Sequence, residues 1–404
     1  MSPLSLPTAL PDSPTYHTRL TAGPSQQYEF TAEAREWVDG IAQASHRSQV
    51  VKDMMREKQR ATRRALGASE GWALLDLKGG TEAQRYASMA AIPLVGESDK
   101  TVLVHTDNFS KVFGGEYEAA GGQVDERIVY ERGDALLPDT EVFESLALRV
   151  ERGEIAVLIL TENGTATGTY QSLAIEELIK RRDAAGSPTR ILVDAVSSQV
   201  LAGGRAQLPD ALFWGYQKDL SVGGGASTLL MNPSLVQHAH ARAEAGFLKG
   251  KLNPVAELKK GDLQHSTTPT LRELARAAIV MGHFWGPGSE EHLKLSQAQD
   301  AGLKLLSDSV DSGELGALGV QFRAQNPELR SKSSHVLVLP GGVHPREVVE
   351  RMAEREIAIS TGYGAFGKTD QGGEVRLCNY SAVTEDQFKN AVGEFTDVLR
   401  DLMA

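Results

Sequence analysis

The stretch Asp210–Ser227, DALFWGYQKDLSVGGGAS, sets a run of apolar residues against one lysine and three glycines. Ala211 to Trp214 read as a buried strand. The chain then passes through Gly215-Tyr216-Gln217 to Lys218, and glycines follow at 223 to 225. A lysine costs free energy to desolvate unless something compensates it. At the end of a core strand it either snorkels to the surface or is held there for chemistry.

Similar apolar runs recur along the chain: GWALLDL (71–77), KTVLVHT (100–106), EIAVLILT (154–161), RILVDAV (190–196), ALFWGYQ (211–217) and ASTLLMN (226–232). Amphipathic helical patterns lie at about 31–44 and 47–66, and between the strands near 81–92, 110–121, 139–151 and 172–184. Apolar strands separated by helices of this length predict an α/β fold, with a mainly parallel sheet covered on both faces. In such sheets a ligand sits beyond the carboxyl ends of the strands.

Residues 246–268 break the pattern and read as a long loop of the kind that serves function or reaches a partner. Helical patterns follow at about 270–284 and 288–311. SSHVLVLP (333–340), a helix at 345–354, EIAIST (356–361), EVRLCNY (374–380) and a last helix at 384–402 form a smaller α+β unit. The expected organisation is an N-terminal arm over 1–20, a large domain over 21–275 and a small C-terminal domain over 276–404.

The 404 residues suit two domains better than one small core. Hydrophobic content of 41% and charged content of 24% are ordinary for a globular chain. A net charge of −11 argues against a nucleic-acid binder, which needs a basic face. The single cysteine, Cys378, allows no internal disulfide and fits a cytoplasmic protein. The Pro/Ser-rich start has no secretory pattern, and no apolar run approaches the ~20 residues needed to span a membrane.

Several residues gather where the sheet's carboxyl edge should lie. LDLKGGTEAQ runs from a strand through Gly79-Gly80-Thr81 into a helix, a phosphate-cradle pattern without the Walker lysine or the dinucleotide fingerprint. Two glycines at such a turn also serve as plain punctuation. In LVDAVSSQ, Asp194 ends an apolar strand, with Ser197 and Ser198 just beyond. It is either a cap or a carboxylate set against a cationic ring nitrogen. Lys218 comes 24 residues later (218 − 194), enough chain to leave one strand and return along its neighbour. TENGTATG (161–168) offers Thr165 and Thr167. TDNFS (106–110) puts Phe109 after another strand, as core or as cover for a flat ligand. A phosphate cradle, a carboxylate, a lysine and an aromatic cover are the parts of a pyridoxal-phosphate site. No metal is expected.

The ordered motifs LTAGPS (20–25), SHRS (45–48), GGT (79–81), NGTATG (163–168), VDAVSS (193–198), GYQKDL (215–220), STTPT (266–270) and GYGAFG…EVRLCNYSAVTEDQ (362–387) span nearly the whole chain. Together they resemble the class V aminotransferases of the fold-type I pyridoxal-phosphate enzymes, most closely the phosphoserine aminotransferase branch. The Gln-Lys pair of YQKDL points to that branch rather than to the serine– and alanine–glyoxylate one.

The resemblance implies a large domain with a mainly parallel seven-stranded sheet, and a smaller C-terminal α+β domain. It implies that Lys218 forms the Schiff base with pyridoxal 5′-phosphate and that Asp194 pairs with the pyridine nitrogen. Phe109 would stack on the ring, and Thr165 would bond near its phenolic oxygen. Gly80, Thr81, Glu82, Ser197 and Gln217 would line the cofactor and its phosphate. Ser266 and Thr267 would complete the cradle from a second protomer, which implies a homodimer with shared active sites. Arg376 would grip the substrate α-carboxylate, and His46-Arg47 would meet the distal acidic group. The implied reaction moves an amino group between glutamate/2-oxoglutarate and 3-phosphohydroxypyruvate/phosphoserine, in serine biosynthesis. Glu82 stands where some of that branch carry arginine, and Lys368-Thr369-Asp370 where others carry His-Arg. The alternative is a serine/alanine–glyoxylate-type aminotransferase. A cysteine desulfurase needs a cysteine on a mobile loop, whereas Cys378 lies in an expected strand.

Overall fold

The computed structural model describes residues 18–21, 28–45, 47–94, 100–130, 133–198, 202–203, 205–218, 220–248, 253–258, 270–362 and 373–404. Seven strands form the large sheet: β1 Ala73–Leu77, β2 Thr101–His105, β3 Glu126–Val129, β4 Val157–Thr161, β5 Arg190–Asp194, β6 Ala211–Gly215 and β7 Ser227–Met231. Their order is β1-β7-β6-β5-β4-β2-β3. The run from β3 to β6 is parallel, and β7 is antiparallel to both its neighbours, β1 and β6.

Each of the six apolar runs forms a strand of this sheet. The seventh, β3, escapes a reading based on apolar runs. It lies at an edge, and its Glu-Arg-Ile-Val alternates between partly buried and exposed. The antiparallel β7 follows from its short connection: only Tyr216–Ala226 separate it from β6, too few residues for a parallel crossover. Gly223 and Gly225 serve that reversal with φ of +129° and +85°.

Eight helices of the large unit are α1 Ala32–Gln43, α2 Gln49–Leu66, α3 Gly80–Ala91, α4 Asn108–Ala119, α5 Glu141–Glu151, α6 Ser172–Ala185, α7 Pro233–Glu244 and α8 Leu271–Trp285. Alternate strand residues point to opposite faces. Leu158, Leu160, Val193, Leu212 and Trp214 meet α1, α2, α5, α6 and α8 in one core. Val157, Ile159, Leu192, Phe213 and Leu229 meet α3, α4 and α7 in the other. Helix α7 was not anticipated, although Asn232 caps it and Pro233 opens it. Within the expected loop 246–268, Pro254–Leu258 form a short helix, and 249–252 and 259–268 lie outside the described residues.

The smaller unit has an antiparallel sheet, β8 Gln321–Phe322, β9 Ser334–Val338, β10 Ser360–Thr361 and β11 Glu374–Cys378, in the order β8-β9-β11-β10. Three helices, α9 Glu291–Asp311, α10 Pro345–Glu354 and α11 Glu385–Met403, share its core through Leu306, Val348, Met352, Phe388 and Phe395. Thr18–Arg19 pair in parallel with Ile357–Ala358, and Leu20 is buried in this core. The end of the N-terminal segment is thereby stitched to the small unit. No helix among the described residues is long and apolar enough to cross a membrane.

A polar knot lies inside the first large core. Lys58 of α2 bonds Asp76 of β1, and both side chains are 2% exposed. Asp76 Oδ1 also accepts from the Tyr216 hydroxyl (2.6 Å) and Thr228 Oγ1 (2.7 Å). Tyr216 lies two residues before Lys218, so the knot anchors the turn that carries the lysine. Lys58→Met leaves the Asp76 carboxylate buried without its lysine cation. The expected loss is about 3–5 kcal/mol, read as a lower urea midpoint. A midpoint equal to that of the natural protein would show the pair to be dispensable.

Candidate active site

The parallel register aligns the strand ends. Thr161 at the end of β4 pairs with Asp194 at the end of β5, and Asp194 with Phe213 near the end of β6. The connections leaving these ends bring the chemistry together, as expected at the carboxyl edge of such a sheet.

Asp194 is buried and held on both oxygens. Oδ1 accepts from Val196 N at 2.9 Å, and Oδ2 from Gln84 Nε2 at 2.9 Å. Burial raises its carboxyl from 3.8 to about 6, against those two bonds. Gln84 was not singled out in the sequence. It lies one helical turn beyond Gly80, on the same face of α3.

Lys218 is buried on the turn after β6. Its carbonyl accepts from Ser221 N (3.0 Å) and Ser221 Oγ (3.1 Å), and Ser221 takes a left-handed φ of +49°. The amine lies 5.8 Å from the centroid of the Phe109 ring and 6.0 Å from that of Tyr380. Burial pushes its pKa from 10.5 down to about 8, and Arg376 pushes the same way. Cys378, Asp194 and Asp107 oppose the shift. Lys218 therefore does not snorkel outward.

Thr165 and Ser197 share a hydrogen bond between hydroxyls. The Ser197 carbonyl accepts from Asn163 and from Ser333 Oγ at 3.1 Å, which ties the loop to the small unit. Tyr380, just past β11, interacts with Ser197 and bonds Ser334 Oγ at 3.2 Å. It lies within the EVRLCNY motif, but no local pattern shows that its ring returns to the lysine.

The glycine turn opens α3 with Gly79 as N-cap. A Cβ on Gly80 would stand 3.2 Å from Val196 Cγ2, and one on Gly215 would stand 2.8 Å from Gln217 Oε1 and 3.2 Å from Val196 Cγ1. Val196 thus packs beside both the helix start and Gly215. Thr81 is exposed there, and Glu82 Oε2 accepts from Lys78 N at 2.7 Å.

Arg376 of β11 is buried, and its Nε donates to the Thr361 carbonyl at 3.0 Å. Its charge reaches Lys218. Arg47 is exposed on the turn before α2, where its backbone N–H bonds Ser45 Oγ. His46, Ser266 and Thr267 lie outside the described residues.

No family model matches the chain, and no curated protein sequence is similar to it. Solved structures do match its fold. A phosphoserine aminotransferase from Cytophaga hutchinsonii has a TM-score of 0.79 at 18% identity, over 94% of this chain and 98% of its own. An aspartate aminotransferase of subgroup IV from Thermus thermophilus has a TM-score of 0.74 at 23% identity, over 95% and 99%. An alanine–glyoxylate aminotransferase from Nostoc sp. has a TM-score of 0.69 at 18% identity, over 96% and 97%. The chain shares the fold of these three aminotransferases. On this fold Asp194, Lys218, Phe109, Thr165, Ser197 and Arg376 converge, and Gln84, Asp107 and Tyr380 join them.

Proposed function

We propose that the protein is a pyridoxal-phosphate-dependent aminotransferase. The observation that carries this reading is the placement of Lys218 and Asp194 at neighbouring strand ends, both buried and within reach of each other's charge. The residues fit the cofactor. They include a primary amine brought down to about 8, a buried carboxylate, and a glycine-opened helix start where a Cβ on Gly80 would press on Val196.

Bound there, pyridoxal phosphate supplies a carbonyl carbon for an amine and a ring that accepts the electron pair left at the substrate Cα. Lys218 Nζ would hold that carbonyl carbon, and its free amine would be the base for the substrate Cα proton. Asp194 would keep the ring nitrogen protonated. Phe109 would cover the ring, and Thr165, oriented by Ser197, would donate to its phenolic oxygen. Backbone at Gly80, Thr81 and Glu82, with Gln217, takes the phosphate. Arg376 binds the substrate α-carboxylate. We assign His46 and Arg47 to the distal acidic group. Ser266 and Thr267 of a second copy complete the cradle in a cytoplasmic homodimer.

Glutamate/2-oxoglutarate with 3-phosphohydroxypyruvate/phosphoserine is the first substrate assignment. A serine/alanine–glyoxylate exchange is the second, and Glu82 favours it: it stands where some of the phosphoserine branch carry an arginine for the substrate phosphate, and its carboxylate accepts from Lys78 N instead. Absorbance titration with phosphoserine, serine, alanine and glutamate separates the two. Loss of the visible band at low phosphoserine but not serine is the expected outcome. An equal response to serine selects the exchange with glyoxylate. A band unmoved by any amino acid overturns the reading.

A further inference from the structure

Asp107 belongs to the TDNFS stretch but has no role so far. Its side chain is fully buried. It caps α4 in a capping box: Oδ1 accepts from Phe109 N (2.9 Å) and Ser110 N (3.0 Å), and Ser110 Oγ accepts from Asp107 N (2.9 Å). An N-cap commonly leaves its second oxygen to water. Here Oδ2 accepts from Ala166 N at 3.3 Å, the residue after Thr165. One carboxylate therefore joins the helix start that presents Phe109 to the loop that presents Thr165.

We propose that Asp107 is a positioning residue that locks the Phe109 and Thr165 segments into a single wall of the cofactor site. The inference rests on the functional reading above. Its physical basis is that an ionised carboxylate accepts on both oxygens and donates on neither. Asparagine keeps the cap through its carbonyl oxygen but sets an NH₂ against the Ala166 N–H. Burial raises the proton affinity of Asp107, while the bonds from Ser110, Ala166 and Phe109 favour the charged form. Its charge also reaches Asp194 and Lys218.

The test compares Asp107→Asn with Ser110→Ala, which weakens the same cap without touching the Ala166 bond. Both apoproteins are titrated with pyridoxal phosphate, with thermal midpoints as controls, and kcat and KM for glutamate are measured after loading. Asp107→Asn is expected to weaken cofactor binding by roughly tenfold or more, the scale of one hydrogen bond to a charged group. Its kcat should fall more than its KM changes. Ser110→Ala should bind the cofactor as the natural protein does. Equal cofactor affinity in Asp107→Asn, or an equal loss in Ser110→Ala, reduces Asp107 to a helix cap and overturns the proposal. Hydrogen exchange of the unsubstituted protein decides the matter even if Asp107→Asn does not fold. Peptides covering 106–110 and 163–168 should gain protection together on loading, and protection of one alone overturns the wall. An unsubstituted protein that forms no visible band with the cofactor sinks the functional reading and this proposal with it. A band shared equally by Asp107→Asn sinks this proposal alone.

Discussion

Lys218→Ala is expected to remove the visible band formed with pyridoxal phosphate and to cut turnover by about 10⁴-fold or more, the upper range for one proton-transferring side chain. Both effects follow from one nitrogen, which holds the cofactor and moves the Cα proton. The burial that lowers the amine to about 8 adds a pH signature. An ordinary lysine near 10.4 is only about 0.4% neutral at pH 8, whereas this one is about half neutral there. Neutral amine is the reactive form. In the apoprotein the rate of band formation should therefore rise through pH 8 and level off above it. A rate that keeps climbing past pH 10 would contradict the desolvated setting of the lysine, and a surviving band in Lys218→Ala would remove it from the chemistry.

Asp194→Asn is expected to lower turnover by about 10²–10³-fold, the scale of losing one preorganised electrostatic partner. The substitution is close to a pure charge removal. The asparagine carbonyl can still accept from Val196 N. Its NH₂ meets Gln84, whose Oε1 has no hydrogen-bond partner among the described residues, so a flip of that amide offers an acceptor. The apoprotein should change in the opposite direction. The Asp194 carboxyl titrates near 6 when folded against an ordinary 3.8. The folded state thus holds the proton more tightly, and ionisation costs stability as pH rises from 3.8 to 6. That cost is complete above pH 6 and absent below 3.8. Asp194→Asn avoids it, so the apoprotein should gain roughly 1–3 kcal/mol at pH 7 while losing activity. Urea unfolding at pH 7 and pH 4 checks the sign. A variant less stable than the natural apoprotein at pH 7 would refute the burial argument.

Much of the site was readable because its residues lie at the ends of strongly apolar runs. RILVD and ALFWG announce themselves as strands, which puts Asp194 and Lys218 at the sheet edge. The glycine run at 223–225 makes a chain reversal, with Gly224 and Gly225 at the surface and Gly223 close to Glu273. Gln84, Asp107 and Tyr380 gave no comparable signal. Gln84 sits in an alanine-rich helix, Asp107 reads as an ordinary cap, and Tyr380 follows a strand of another unit.

By itself, the sequence determined the alternation of strands and helices, the faces they bury and the two residues that carry the proposed chemistry. These depend on hydrophobic period and on chain neighbours, which are local. Only the tertiary structure decided the strand order, the antiparallel β7, the edge strand β3 and the return of Tyr380 to Lys218. It alone joined Asp107 to Ala166, 59 residues away, and Gln84 to Asp194, 110 residues away. The physical reason is that a buried polar atom must find its partner wherever packing places one, and that place is set by the register of distant strands rather than by its neighbours in the chain.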